Sequence, residues 1–160
     1  VSGIAIRPAV DIDIPVLVAL NAGVQALHAA LSPEIFKPAV DPVELATFLR
    51  DTLDQPAHRL LLAEIDGVAA GYGWAEVQDR AQTPFALARR RLYLHHLAVD
   101  PAFRRRGIAA ALLTALEGQA RALGLESVVL DAWADNAGAQ AFFAAAGYAP
   151  LNLTRAKRLG

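Results

Sequence analysis

The stretch Leu97-Ala98-Val99-Asp100-Pro101-Ala102-Phe103-Arg104-Arg105-Arg106-Gly107-Ile108-Ala109 runs from a strand through a turn into a helix. Gly107 and Ala109 leave little side-chain bulk where that helix begins. The first amides of a helix have no intrahelical acceptor and its dipole favours negative charge, so a pyrophosphate can rest against them. Three arginines, Arg104, Arg105 and Arg106, flank that mouth. Taken alone, Arg-x-x-Gly-x-Ala reads better as a solvated basic turn before an ordinary helix. No Gly-Lys-Ser/Thr and no three-glycine fingerprint occurs, so neither a phosphate loop nor a dinucleotide turn is present.

Working outward, Ile108, Leu112, Leu116, Ala120 and Leu123 lie at helical spacing, and Gly124 can end that helix. Glu126 to Ala132 reads as a strand, Asn136 as the cap of a last helix carrying Phe142 and Phe143, and Pro150 to Arg158 as holding a final strand. Upstream, Tyr93 to Val99 is a strand and residues 78–90 a connecting loop. Arg59 to Ile65 and Val68 to Val77 form a hairpin about Asp66-Gly67. Gly71 and Gly73 signal a bulge or a close backbone approach. Asp41-Pro42-Val43-Glu44 starts a helix whose buried side is Leu45, Phe48, Leu49 and Leu53. Asp11 or Asp13 caps an earlier helix with an apolar stripe at Val16, Leu20, Val24, Leu27 and Leu31, after a short strand at Ile4 and Ile6. This order predicts an α/β or α+β fold with a largely antiparallel sheet that switches to a β-α-β unit near Val99.

The 160 residues suit one domain spanning 1–160. Hydrophobic residues at 55% and charged residues at 19% exclude global disorder. Fifteen Lys and Arg against sixteen Asp and Glu leave a net charge of −1, which argues against nucleic-acid or anionic-membrane partners. The absence of cysteine excludes disulfides, thiolate nucleophiles and cysteine-ligated metals. Ile14 to Leu31 is interrupted by Asn21, Gln25 and His28 and reads as a soluble helix. Val1 to Arg7 lacks the features of a secretory signal, although the initiator methionine is missing, so a cytoplasmic location is expected.

The chain resembles the GCN5-related N-acetyltransferases (the GNAT family). Leu97-Ala98-Val99-Asp100-Pro101 followed by Arg104-x-x-Gly107-x-Ala109 is similar to that family's acetyl-CoA motif. Asn136-x-x-Ala139-x-x-Phe142-Phe143-x-x-x-Gly147-Tyr148 is similar to its closing helix, and Ile6-Arg7-Pro8-Ala9 is a fainter echo of its opening. The resemblance implies a splayed, mostly antiparallel mixed sheet flanked by helices, with acetyl-CoA as cofactor. It implies that the pantetheine arm meets backbone groups of Leu97, Ala98 and Val99. The pyrophosphate would meet Arg104, Arg105, Arg106, Gly107, Ile108 and Ala109, and Asn136 and Phe143 would lie near the cofactor.

Acetyl transfer to a primary amine needs a base for the ammonium proton and a proton for the leaving thiolate. Where related sequences often carry an acid before the motif valine, this chain has His95 and His96, and histidine accepts protons near neutral pH. Strand alternation puts Tyr93, His95, Leu97 and Val99 on one face and Leu94, His96 and Ala98 on the other unless a bulge intervenes. His95 is the preferred base by its spacing from Val99; both histidines as structural groups is the competing reading. Glu64 and Glu76 are weaker candidates, and His28 and His58 read as structural or substrate-side. The family's usual tyrosine at residue 143 is Phe143 here, which leaves water, Tyr93 or Tyr72 as proton source.

Arg89, Arg90 and Arg91 read as a solvated start to the motif strand. Trp74 and Trp133 either line a substrate cleft or belong to the core. No metal site is expected, because adjacent histidines face opposite ways and no ligand spacing recurs. The expected partner is a small-molecule or peptide amine, chosen by residues 28–42 and 78–91, with a homodimer left open. A catalytically weak acyl-CoA-binding regulatory domain of the same fold is the alternative.

Overall fold

Asp66 and Gly67 both adopt positive φ, 52° and 76°, the backbone twist that joins two antiparallel strands with a two-residue turn. In the computed structural model, which describes residues 3–160, this turn joins β2 (His58–Ile65) to β3 (Val68–Arg80). Val1 and Ser2, which open the segment read for a secretory signal, lie outside the described residues. β1 (Ile4–Pro8) pairs antiparallel with β2, and β4 (Arg89–Val99) antiparallel with β3. β5 (Val128–Leu130) pairs parallel with β4, giving the order β1-β2-β3-β4-β5. The expected switch after Val99 is thus present, with α3 (Ile108–Ala122) as the crossover.

The period-2 alternation of β2 separates two cores. Leu61 and Ala63 join Leu92, Leu94, Leu112 and Leu116 beneath α3. Leu60 and Leu62 join Ile14, Leu17, Leu49, Tyr72 and Trp74 beneath α1 (Ile14–Leu31) and α2 (Pro42–Leu53) on the opposite face. Leu112 and Leu116 are fully buried, and truncating a leucine so placed to alanine costs about 2–5 kcal/mol. α4 (Ala137–Ala145) brings Phe142 and Phe143 onto the α3-side core.

Capping follows the sequence at two of three places. Asp41 accepts from the amides of Val43 and Glu44, and Asn136 accepts from that of Ala139. Asp13 precedes α1 but does not cap it with its side chain, because its carboxylate is taken by Arg7 and by the Val10 amide. The fully buried face of α1 is Ile14, Leu17, Leu20 and Asn21; of the expected stripe Leu20 is buried, Val16 and Val24 pack partly against the same core, and Leu27 is exposed. A polar residue takes a core position there because Asn21 donates to the Tyr72 hydroxyl at 3.0 Å. By length and composition this apolar helix could cross a membrane; here its buried side packs on the sheet.

Three expected boundaries move. Residues 78–80 and 89–92 extend the β3–β4 ladder, tied by Arg90 to Asp79 at 2.6 Å, so the connecting loop shrinks to 81–88. The strand expected over Glu126 to Ala132 keeps only three residues. No strand forms within Pro150 to Arg158: Pro150 offers no amide, and Leu151 and Leu153 find no partner strand and stay exposed.

Candidate active site

β4 sits between two unlike neighbours. β5 accompanies it only from Leu92 to Leu94, so the sheet opens from His95 onward. Asp100 donates its amide to Ala70 on the β3 side, and by strand alternation the N–H and C=O of Leu97 and Val99 face the open side. This free backbone edge ends at the 3₁₀ turn Pro101–Phe103, where Asp100 caps the amide of Ala102.

The register of β4 against β3 breaks once. Trp74 opposes His96 while Ala75 opposes Leu94, so His95 is the extra residue of a bulge. The alternation expected for this strand is therefore wrong. Leu92, Leu94, Leu97 and Val99 all pack toward α3, whereas Ala98 packs toward α1 and α2. His95 stacks on Trp74, with ring centroids 4.2 Å apart and planes 17° apart, and His96 meets the same indole edge-on at 5.0 Å. The two histidines thus share one face, the face of α1 and α2. No reading of β4 alone places them together, because a bulge is a property of two strands in register.

Their hydrogen-bond partners differ. The Asn21 amide donates to the Tyr72 hydroxyl, so the phenol's own proton goes to His96 Nδ1 at 3.0 Å. This fixes His96 as the neutral Nε2–H tautomer. Burial, then the nearby His95 and His28, push its pKa down to about 4. Burial likewise pushes the Tyr72 phenol up to about 12. His95 Nε2 lies 2.8 Å from Glu76 Oε2. A carboxylate accepts only, so His95 donates from Nε2 and keeps its lone pair on Nδ1. The same hydrogen bond holds the Glu76 carboxyl below the ordinary carboxylate range. Glu76, a weaker base candidate by sequence, is thereby the partner of the preferred base. Glu64 instead pairs with Arg7 at 2.8 Å.

A third strand contributes His58, which lies directly opposite Glu76 in the β2–β3 register. The Trp74 indole N–H donates to His58 Nδ1 at 3.0 Å. One nitrogen from each of His58 and His95 and one oxygen of Glu76 lie within 4.8 Å of one another. Sequence spacing hides this cluster, since its members are drawn together only by strand pairing.

The basic turn has the shape the motif requires. Arg105 and Gly107 have φ of 63° and 82°, and Gly107 precedes the first turn of α3. Among the described residues the amides from Arg105 to Ala110 have no acceptor; the first bond of the helix runs from Ala111 to Gly107. A Cβ on Gly107 would meet nothing closer than Ile4 Cδ1 at 4.0 Å, so the ground before these amides is open. Arg104, Arg105 and Arg106 are exposed, and Arg106 lies over the Phe103 ring. These free donors and cations, continuous with the open edge at Leu97 and Val99, fit a pyrophosphate bearing an extended arm.

The remaining candidates each have partners of their own. Phe143 packs edge-on to Phe142 and to Tyr148, at centroid distances of 5.1 and 5.8 Å. Asn136 is engaged as a helix cap. Tyr148 donates to Glu117, and Tyr93 to Asp131. Burial, with the carboxylate accepting each proton, raises both phenols, Tyr93 to about 12. On the α1 side, Phe36 lies between His28 and Trp133, at 4.8 and 5.2 Å. Arg90 and Arg91 are committed to Asp79 and Gln78 at the far end of β4.

A family model described as the acetyltransferase (GNAT) family matches residues 24–148. No curated protein matches the sequence. Among solved structures, a mutant of the BH1408 protein from Bacillus halodurans superposes with a TM-score of 0.90 at 21% identity, covering 97% of this chain and 99% of that one. The aminoglycoside antibiotic 6'-N-acetyltransferase AAC(6')-Ih from Acinetobacter baumannii does so at 0.74 and 23% identity, covering 99% and 100%. The aminoglycoside N-acetyltransferase AAC(6')-Iy, solved with CoA, does so at 0.78 and 19%, covering 99% and 96%. At these identities the likeness is one of fold.

Proposed function

Because the chain belongs to the acetyltransferase (GNAT) family, we propose that it transfers the acetyl group of acetyl-CoA to a primary amine by direct attack within a ternary complex. The observation that carries this reading is the Glu76–His95 pair at the bulge of β4, beside the open backbone edge. Acetyl-CoA supplies the acetyl group as a thioester. Leu97 and Val99 would hold its arm through backbone groups, Ala98 between them being turned toward β3, and Arg104 through Ala109 its pyrophosphate, with Asn136 and Phe143 lining the cleft. His95 Nδ1 takes the ammonium proton, and Glu76, accepting from Nε2, stabilises the imidazolium that forms.

No tyrosine is poised to return a proton. Tyr72 gives its proton to His96, Tyr93 to Asp131 and Tyr148 to Glu117, and Phe143 has none. Solvent therefore returns it. The aminoglycoside acetyltransferases that share the fold support a small molecule over a peptide as the acceptor. The Glu76–His95 pair supports transfer over a catalytically weak binding domain.

The test is thiol release from acetyl-CoA across a panel of amines, with the product identified by mass. His95→Gln should lower turnover by ~10²–10⁴-fold and leave the acetyl-CoA Kd unchanged by calorimetry, with partial rescue by added imidazole. A wild-type protein that binds acetyl-CoA but acetylates no amine in the panel would overturn transfer in favour of the binding-domain reading.

A further inference from the structure

Two imidazoles and a carboxylate from three adjacent strands meet on the α1/α2 face of the sheet. Their ligand atoms are within 4.8 Å of one another, and the His95 and Glu76 atoms are 2.8 Å apart. All three side chains are partly buried rather than flung into solvent. We propose that His58, Glu76 and His95 form a binding site for one divalent transition-metal ion of the zinc class, and that its occupancy silences acetyl transfer.

The donor set is two histidines and one carboxylate, which suits zinc and its neighbours and leaves further coordination positions for water. The proton accounting favours it as well. Trp74 donates to His58 Nδ1, so in the neutral ring that nitrogen already carries the lone pair and Nε2 carries the proton. With Nδ1 as the ligand atom, uptake replaces one indole hydrogen bond with a metal–nitrogen bond and leaves the tautomer of His58 as it is. At His95 the ion replaces the proton now shared between Nε2 and Glu76. That proton moves through solvent to Nδ1, a change of tautomer that keeps the ring neutral, so His95 has no lone pair left for an ammonium proton. The site is independent of the acetyltransferase reading; only its inhibitory effect rests on His95 being the base.

The pairing of strands makes the site rigid. His58 faces Glu76 across one ladder, and the bulge that inserts His95 brings it to the same two side chains. Trp74 touches both imidazoles, stacked on one and hydrogen-bonded to the other, so its emission reports occupancy.

The test is titration of the full chain, stripped with chelator, with Zn²⁺ by calorimetry and Trp fluorescence. One ion per chain is expected, with a shift in emission as the indole releases His58. His58→Ala and Glu76→Gln, each checked for folding by circular dichroism, should weaken binding by about tenfold or more. His28→Ala, which removes an imidazole outside the triad, should not. Zn²⁺ should inhibit transfer reversibly with EDTA, and His58→Ala should require about tenfold more Zn²⁺ for the same inhibition. No uptake by the wild type, or uptake unchanged in folded His58→Ala, overturns the site. Binding at the triad with transfer unimpaired overturns His95 as the base and leaves the metal site standing.

Discussion

Phe143 shows how one missing oxygen redistributes proton chemistry. Its ring is wedged between Phe142 and Tyr148 on the α3-side core, and the tyrosines nearby have given their protons to fixed acceptors. Phe143→Tyr adds a hydroxyl at little cost in volume. With solvent returning the proton, turnover at saturating substrate should stay within about threefold of wild type, because no large barrier term is relieved. Because Phe143 is only half-buried, the added hydroxyl should cost no more than about 1 kcal/mol, read from urea unfolding. A rise in turnover of about tenfold, equal to about 1.4 kcal/mol of barrier, would show instead that proton return limits the rate.

At the level of elements, the turn before α3 and the strand before it carry separate predictions. Gly107 holds φ of 82°, and a side chain there strains the backbone by about 1–2 kcal/mol. Gly107→Glu also sets a carboxylate before the unpaired amides, so acetyl-CoA binding should vanish by calorimetry while thermal unfolding stays cooperative. Retained affinity in the folded variant would move the anion site elsewhere. Gly71 serves another purpose: a Cβ there would lie 2.6 Å from the Ala98 carbonyl oxygen. Gly71→Ala must push β3 from β4 and should lower stability by roughly 1–3 kcal/mol, read as a reduced urea midpoint. Local signals announced these elements well. The Asp66-Gly67 turn, the caps at Asp41 and Asn136 and the spacing of Leu112, Leu116 and Ala120 are each decided by neighbours in sequence. The bulge at His95 is decided by register against β3, so alternation along β4 kept His96 with Ala98 but wrongly grouped His95 with Leu97 and Val99. Glu76 and His58 were invisible as partners of His95 for the same reason. The strand expected after Pro150 failed because leucines at alternate positions need a neighbouring strand to pair with, and none lies beside them.

At the scale of the whole molecule, Arg7 ties β1 to the start of α1 and to β2. Its two terminal nitrogens reach both oxygens of Asp13, at 2.7 and 2.9 Å, and one also reaches Glu64 at 2.8 Å. Asp13 is 6% exposed and accepts the Val10 amide besides, so its charge is fully answered. Arg7 is raised further above its already high value by these bonds, and Asp13 is held below the ordinary carboxylate range, chiefly by Arg7. A depressed pKa in the folded state means that the unfolded chain binds this proton more readily. The stabilisation is therefore complete above the unfolded value of ~3.9 and is lost as pH falls through the lower folded value. Asp13→Asn should cost about 1–3 kcal/mol at neutral pH, toward the lower end because Arg7 is partly open to solvent. The gap between wild type and variant, measured by urea unfolding, should then close as the medium is acidified below about pH 4, where wild-type Asp13 begins to lose its charge advantage. A gap that stays constant through that range would mean that Asp13 contributes shape and neutral hydrogen bonds but not charge. Arg7 would then be held in place by Glu64.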